Sequence, residues 1–315
     1  MKRRRLSIAI LSSIATIGLL SGVAGALAPL PAGVSAARVA QLVEASHNIT
    51  VIPKNLVVPL KDLGRDGTGN YFAVPYNQCL TMTSCVYGST TAKRMIVLFG
   101  DSHAWMWVSA VNPIAVKDQY KLVLLYQNDC SAANVTFWDT ATGSYATACT
   151  AWRTSSIAAL NAARPSVVLL ASLTSRRYSA PGKLFTSEQW RTGLESTISK
   201  LKSKSTKVAV LGDINMMSVS PPLCLAANPT AVQKCASANP NPNLIDDNLN
   251  SAEQSAAKVE DVRYVNTLRW LCTNTCSPII RNIIVYLDYW HLTATYSALL
   301  SEAMARNLAP LLKPI

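Results

Sequence analysis

From residue 95 onward the sequence alternates between two kinds of segment. Short apolar, β-branched runs lie at 95–99, 122–126, 166–171, 207–211 and 283–287. Stretches with helical spacing lie at 104–118, 150–163, 187–203, 246–258 and 293–310. Apolar runs bounded by helices on both sides must be covered on two faces, which is the pattern of a parallel sheet. The expected fold class is therefore α/β: a three-layer α/β/α sandwich around a central, mostly parallel five-stranded sheet. Sheets of this kind hold their sites in the loops at the carboxyl ends of the strands.

Two segments precede that core. Residues 6–28 carry no charge and follow Lys2, Arg3, Arg4 and Arg5. This pattern predicts a signal peptide or N-terminal membrane anchor within 1–30, with the rest of the chain outside the cytoplasm. Residues 31–94 read as a helix and loop-rich extension, with one helix near 35–46, and 95–315 as the core domain. No second apolar run of spanning length follows.

Export makes the eight cysteines readable as disulfides. Pairing in chain order (Cys79 with Cys85, Cys130 with Cys149, Cys224 with Cys235, Cys272 with Cys276) needs no long crossing, although spacing alone leaves other connectivities open. No paired Cys-x-x-Cys occurs, so neither a metal nor another cofactor is expected. The stretch 215–243, rich in Pro, Asn and Ser, reads as a long surface loop stapled by Cys224 and Cys235.

Composition narrows the partners. Half the residues are apolar and 15% are charged, which excludes a disordered chain. Of 29 basic residues, the four at 2–5 belong to the export segment; the other 25 face 17 acidic residues, a body of +8. The positive residues are scattered and export is expected, so nucleic acid is not an expected partner. An anionic wall polymer or lipid surface fits better.

The candidate chemistry sits at two strand ends. The first run closes in Gly100-Asp101-Ser102-His103-Ala104. The glycine permits a sharp strand-to-helix turn and leaves Ser102 at a helix N-terminus, which suits a nucleophile that develops an oxyanion. The plain alternative is that Asp101 or Ser102 only caps the helix. The last run leads into Asp288-Tyr289-Trp290-His291-Leu292-Thr293. An aspartate three residues before a histidine can hold Nδ1–H and leave Nε2 to take a proton from serine. The alternative for His291 is a partly buried helix-cap histidine with Asp288 as its surface partner. Two such motifs at two strand ends favour the catalytic reading. Of the other histidines, His103 is read as a wall or structural residue and His47 as solvated.

These residues carry a resemblance. Val97-Leu98-Phe99-Gly100-Asp101-Ser102-His103-Ala104 is similar to the first block of the SGNH (GDSL-type) hydrolase superfamily, and Asp288 to Thr293 to its last block. Asn128-Asp129-Cys130, Cys149, the 167–172 strand, Leu223-Cys224-Leu225-Ala226 and the pair Cys272 and Cys276 resemble the layout of extracytoplasmic SGNH domains fused to acyltransferase-three proteins. Cys79, Cys85 and Tyr87-Gly88 resemble the short extension before that core. The likeness spans roughly 50–312.

The resemblance implies an SGNH-type serine hydrolase, a carbohydrate esterase or O-acetyltransferase, with Ser102 as nucleophile, His291 as base and Asp288 as its orienting acid. It implies an acylated glycan or cell-wall polysaccharide as substrate, with O-acetyl the usual group. The multi-helix acyltransferase part does not accompany the motifs, so transfer would draw on a separate membrane acyl-donor protein or a soluble ester. The block-two and block-three positions fall near Asn128-Asp129 and Ser172-Leu173-Thr174, without the superfamily's Gly and Gly-x-Asn-Asp. The Ser102 backbone N–H is thus the first oxyanion donor, with Asn128, Ser172 or Arg176 as candidates for a second. For Arg176 and Arg177 a solvated, charged loop is the favoured reading. The competing function is a non-catalytic envelope protein that binds glycan on the same scaffold.

Overall fold

The computed structural model describes residues 27–74, 78–175, 177–239 and 248–312. The expected signal peptide or anchor within 1–30 therefore lies almost wholly outside the described residues, as does Arg176. Among the described residues, no helix is long and apolar enough to cross a membrane.

Six strands form the main sheet: β1 (Val86–Gly88), β2 (Met95–Gly100), β3 (Lys121–Tyr126), β4 (Val167–Ala171), β5 (Lys207–Leu211) and β6 (Arg263–Val265), in the order β1-β3-β2-β4-β5-β6. All neighbours pair in parallel except β1, which runs antiparallel along β3 at the edge. The three-layer α/β/α class holds, but with six strands rather than five. The difference lies at both edges. Val86–Gly88 extends the sheet from the cysteine-rich segment before the core. At the other edge, the expected strand 283–287 is replaced by Arg263–Val265.

The physical reason is local. In Ile279-Ile280-Arg281-Asn282-Ile283-Ile284, two apolar pairs flank a two-residue turn, with Arg281 at φ 60°. The chain folds back on itself there as a small antiparallel hairpin. Both pairs are buried, so their apolar run mimics a sheet strand. Arg263–Val265 is half polar and only three residues long, and its signal is correspondingly weak.

Pleating divides the core. Ile96 and Leu98 of β2, with Leu122 and Leu124 of β3, face a layer made by α1 (Ala36–Ala45), α2 (Val108–Lys117) and the closing pair of helices at Ala294–Leu299 and Ser301–Leu312. Val97, Phe99, Val123 and Leu125 face the opposite layer of α3 (Thr147–Ala163), α4 (Ser187–Leu201) and α5 (Asn248–Val259). The closing pair is α6 (Ala294–Leu299) and α7 (Ser301–Leu312). Successive side chains on a strand point to opposite faces, so continuous apolar runs are what a doubly covered strand requires.

Strand order places the site. The chain leaves β2 for β3 on one side, and β4 then lies on the other side. That reversal opens a crevice at the carboxyl end of β2. Gly100 ends β2, and a Cβ there would stand 1.8 Å from the Ala171 carbonyl oxygen. Only glycine lets the two central strands close at this point.

Eight cysteines form four bonds in chain order: Cys79–Cys85, Cys130–Cys149, Cys224–Cys235 and Cys272–Cys276. Cys130–Cys149 closes the base of the segment holding the small hairpin of Trp138–Asp139 and Ser144–Tyr145. The 215–243 stretch is described to Asn239 and includes a short helix, Pro221–Ala227, besides its staple.

Asp66 ties the extension to α6. Its Oδ1 accepts bonds from the Thr295 N–H (3.0 Å) and hydroxyl (2.7 Å), and its carbonyl accepts from Ala294 N–H (2.7 Å). Burial pushes the carboxyl up to about 6 against the opposing pull of the Thr295 hydrogen bonds. The folded chain holds this proton up to about 6, whereas the unfolded chain releases it near 3.8. Stability from this group is thus full below 3.8 and declines as pH rises through 6. Asp66→Asn removes that decline. Its melting temperature relative to wild type should rise between pH 4 and 7, corresponding to up to about 3 kcal/mol; a pH-independent difference between the two would contradict this.

Candidate active site

Asp101 shapes the strand-to-helix turn. Its Oδ1 caps the one-turn helix Ser102–Trp105 by accepting the His103 N–H at 2.9 Å. The same carboxylate accepts the Leu173 N–H from the loop after β4, at 2.9 Å to Oδ2, and the Arg177 guanidinium at 2.8 Å. Asp101 is fully buried and Arg177 is 6% exposed. Arg177 also donates to the carbonyls of Leu173 and Asp129. This corrects the solvated-loop reading of Arg177: a carboxylate buried at the strand end needs a buried cation.

His291 arrives on the loop between the Ile283–Ile284 hairpin and α6. Leu287 N–H bonds to the His291 carbonyl at 2.8 Å, and Tyr286 bridges Leu292. Inside this closed loop the Asp288 Oδ1 accepts the N–H groups of Trp290 (2.9 Å) and His291 (2.8 Å). Its Oδ2 lies 2.8 Å from His291 Nδ1. Burial raises the Asp288 carboxyl, but the hydrogen bond and charge of His291 and the two backbone N–H groups outweigh it, leaving the group below its usual range. On the other side of the ring, His291 Nε2 lies 2.9 Å from Ser102 Oγ. The rings of Trp105 and His103 pack against His291, with centroids 5.9 and 5.3 Å away. The structure thus brings Ser102, His291 and Asp288 into one hydrogen-bonded line, the order needed to move a proton from a hydroxyl to an oriented imidazole.

The other expected residues divide. Asn128 lines the cavity beside Ser102, with Nδ2 donating to Asp129 Oδ2 at 2.9 Å. Ser172 does not reach that cavity: its buried hydroxyl oxygen accepts from Ala132 N–H (2.9 Å) and Ser131 (3.2 Å), which bind the loop after β3 to the end of β4. His47 is not simply solvated. Its Nε2 lies 2.7 Å from Thr273 Oγ1 and its Nδ1 3.1 Å from Thr275 Oγ1. Among the described residues, no group of three or more His, Cys, Asp or Glu is placed to hold a metal ion.

A second buried histidine–carboxylate pair stands behind the first. His103 Nδ1 bonds to Asp213, which follows β5. Asp213 Oδ2 also accepts the N–H (2.7 Å) and hydroxyl (3.0 Å) of Thr174. Asn250 clamps the Asp213 backbone from α5. Burial disfavours the His103 imidazolium, yet the charge and hydrogen bond of Asp213, with Asp101 beyond, raise His103 above its ordinary value. Deeper still, burial and the nearby Asp213 push Glu253 well above the carboxylate range. Sequence reasoning missed Asp213 and Asn250. The available signal was Gly212-Asp213 at the carboxyl end of a strand, the same position Asp101 holds on β2.

The cavity beside Ser102 measures about 880 Å³. The Trp138–Tyr145 hairpin forms one wall, Trp290 and Tyr178 others, with Asp129, Asp139 and Arg177 among them. Ser102, held against an Asp-oriented histidine, stands at the switch point of the α/β sheet. The description "SGNH domain (fused to AT3 domains)" matches residues 71–306, and the chain belongs to this family.

Among solved structures, the chain is similar to the periplasmic domain of a lipopolysaccharide acetyltransferase from Salmonella ser. Paratyphi A, at 15% identity, TM-score 0.54, over 87% of this chain and 95% of that one. It also matches Est24, a carbohydrate acetylesterase from Sinorhizobium meliloti, at 14% identity, TM-score 0.43, over 69% and 99%. A lipase/acylhydrolase from Enterococcus faecalis matches at 13% identity, TM-score 0.41, over 70% and 98%. No curated protein sequence matches the chain.

Arg177→Leu should leave the buried Asp101 charge without its cation. The expected loss in chemical denaturation is about 3 kcal/mol, with Arg177→Lys recovering part of it. A loss under about 0.5 kcal/mol, the scale of an ordinary surface substitution, would contradict the buried pair.

Proposed function

We propose that the protein is an exported serine esterase or O-acyltransferase that acts on O-acyl groups of cell-surface carbohydrate. The observation that carries this reading is the continuous line from Ser102 Oγ through His291 to Asp288. His291 Nε2 takes the Ser102 proton as Oγ attacks the ester carbonyl. The new Oγ–C bond forms, and the carbonyl electrons move to an oxyanion. The Ser102 backbone N–H and the Asn128 side chain are the proposed donors to that oxyanion. Collapse breaks the bond to the sugar oxygen, which leaves with the proton from His291. Water or a second hydroxyl then gives its proton to His291 and attacks the acyl-serine; the Oγ–acyl bond breaks, the His291 proton returns to Ser102 Oγ, and the acyl group leaves as the free acid or a new ester.

The substrate class rests on three supports. The family is one of domains fused to acyltransferase-three proteins. A fold relative is named for acetyl transfer to lipopolysaccharide. The cavity pairs aromatic walls with carboxylates and a guanidinium, a lining suited to a sugar's apolar faces and hydroxyls. Transfer would use a membrane acyl-donor partner, and hydrolysis needs none. The four disulfides support an extracytoplasmic site of action, secreted or held at the membrane by the segment within 1–30. The body of +8 suits an anionic envelope surface. The 2.9 Å contact between Ser102 and His291 weighs against a purely glycan-binding role.

Ser102→Ala should lower turnover of an aryl acetate and of an acetylated glycan by at least ~10³-fold with the fold intact. Turnover within tenfold of wild type would refute the reading.

A further inference from the structure

A second, smaller cavity of about 220 Å³ meets the large one at Ser102, Asn128 and His291. Among the described residues, its other walls include Val74, Trp105, Tyr126 and Leu287. Asp288 borders it too, but both carboxylate oxygens are engaged, by the Trp290 and His291 N–H groups and by the imidazole. Ser102 therefore stands between two chambers that differ in size and in the charged groups they carry. One is broad and carries Asp129, Asp139 and Arg177; the other is small and apolar.

An ester has two sides. When Ser102 Oγ adds to the carbonyl, the alcohol and the acyl substituents must point away from each other. Chemistry assigns the sugar to the broad chamber, where aromatic rings stand beside charged groups, and the acyl group to the small apolar one. Size carries the assignment further. An apolar cavity of ~150 Å³ admits benzene, a six-carbon molecule, so a pocket of about 220 Å³ has room for a short chain. The single methyl carbon of an acetyl group fills only a small part of it.

Resting on the acyl-transfer reading above, we propose that the Val74–Trp105–Tyr126–Leu287 pocket is an acyl-chain site that selects saturated chains of about four to six carbons over acetyl. Val74 comes from the extension before the core, so the extension contributes directly to acyl choice. The Trp105 and His291 rings meet nearly at right angles, 5.9 Å between centroids, so a chain seated against Trp105 is also held beside the proposed base.

The test is a chain-length series with two readouts. In the first, kcat/KM is measured on aryl acetate, butanoate, hexanoate and decanoate. Each buried methylene should raise it about fourfold, so butanoate should exceed acetate by about tenfold or more. The gain should end before decanoate, whose chain exceeds the pocket. Val74→Phe, which fills the pocket, should bring the butanoate-to-acetate ratio towards one.

In the second, Ser102→Ala is titrated with acetate and hexanoate and the Trp105 indole N–H resonance is followed by NMR. Hexanoate should shift it and bind at least tenfold more tightly. Ester turnover that falls from acetate onward, or equal affinity for the two carboxylates, overturns the acyl-chain site while leaving the serine chemistry standing. Chain-length-dependent binding without any Ser102-dependent turnover upholds the pocket and refutes the enzymatic reading instead.

Discussion

The fold converges on one buried carboxylate. Asp101 sits between the glycine that lets β2 meet β4 and the serine that opens the following helix. It takes the N–H of His103, the N–H of Leu173 and the guanidinium of Arg177. A charge taken out of water at this depth is tolerated only when its hydrogen bonds are filled. Filling them joins the carboxyl ends of the two central strands and fixes where Ser102 emerges. The position of Ser102, the proposed nucleophile, is thus a consequence of satisfying Asp101.

Asp213 repeats the device two strands further along, after β5. It binds His103, Thr174 and its own following N–H. The loop after β4 is therefore held at Leu173 by Asp101 and at Thr174 by Asp213. With Glu253 pushed well above the carboxylate range by burial, the polar cluster beneath the site carries its charges on paired groups. Preorganisation of this kind matters because an oxyanion is stabilised only by donors already in place. His103, next to the serine in sequence, belongs to this supporting layer; His291 alone lies within hydrogen-bond reach of Ser102 Oγ among the described histidines.

Much of this was legible in the sequence, for definable reasons. Gly100-Asp101-Ser102 and Asp288 to His291 are local patterns: the geometry that matters is set within three residues of chain. The parallel strands were legible because double burial demands unbroken apolar runs. What escaped was set by tertiary context. Ile283–Ile284 has the composition of a core strand, yet its turn sends it into a hairpin, while polar Arg263–Val265 takes the sheet edge. Arg177 looks solvated until Asp101 is seen to be buried beside it. Ser172 carries a suitable hydroxyl at the right strand end, but that hydroxyl faces the loop after β3. No spacing rule announces Asp213 as the partner of His103, because 110 residues separate them.

The central claim is that Ser102 is a nucleophile activated by His291. It is tested most directly by treating the protein with an alkyl fluorophosphonate and locating the adduct by peptide mass spectrometry. A single adduct on Ser102, lost in His291→Ala, is the predicted result. An unmodified Ser102, or equal labelling without His291, would contradict it.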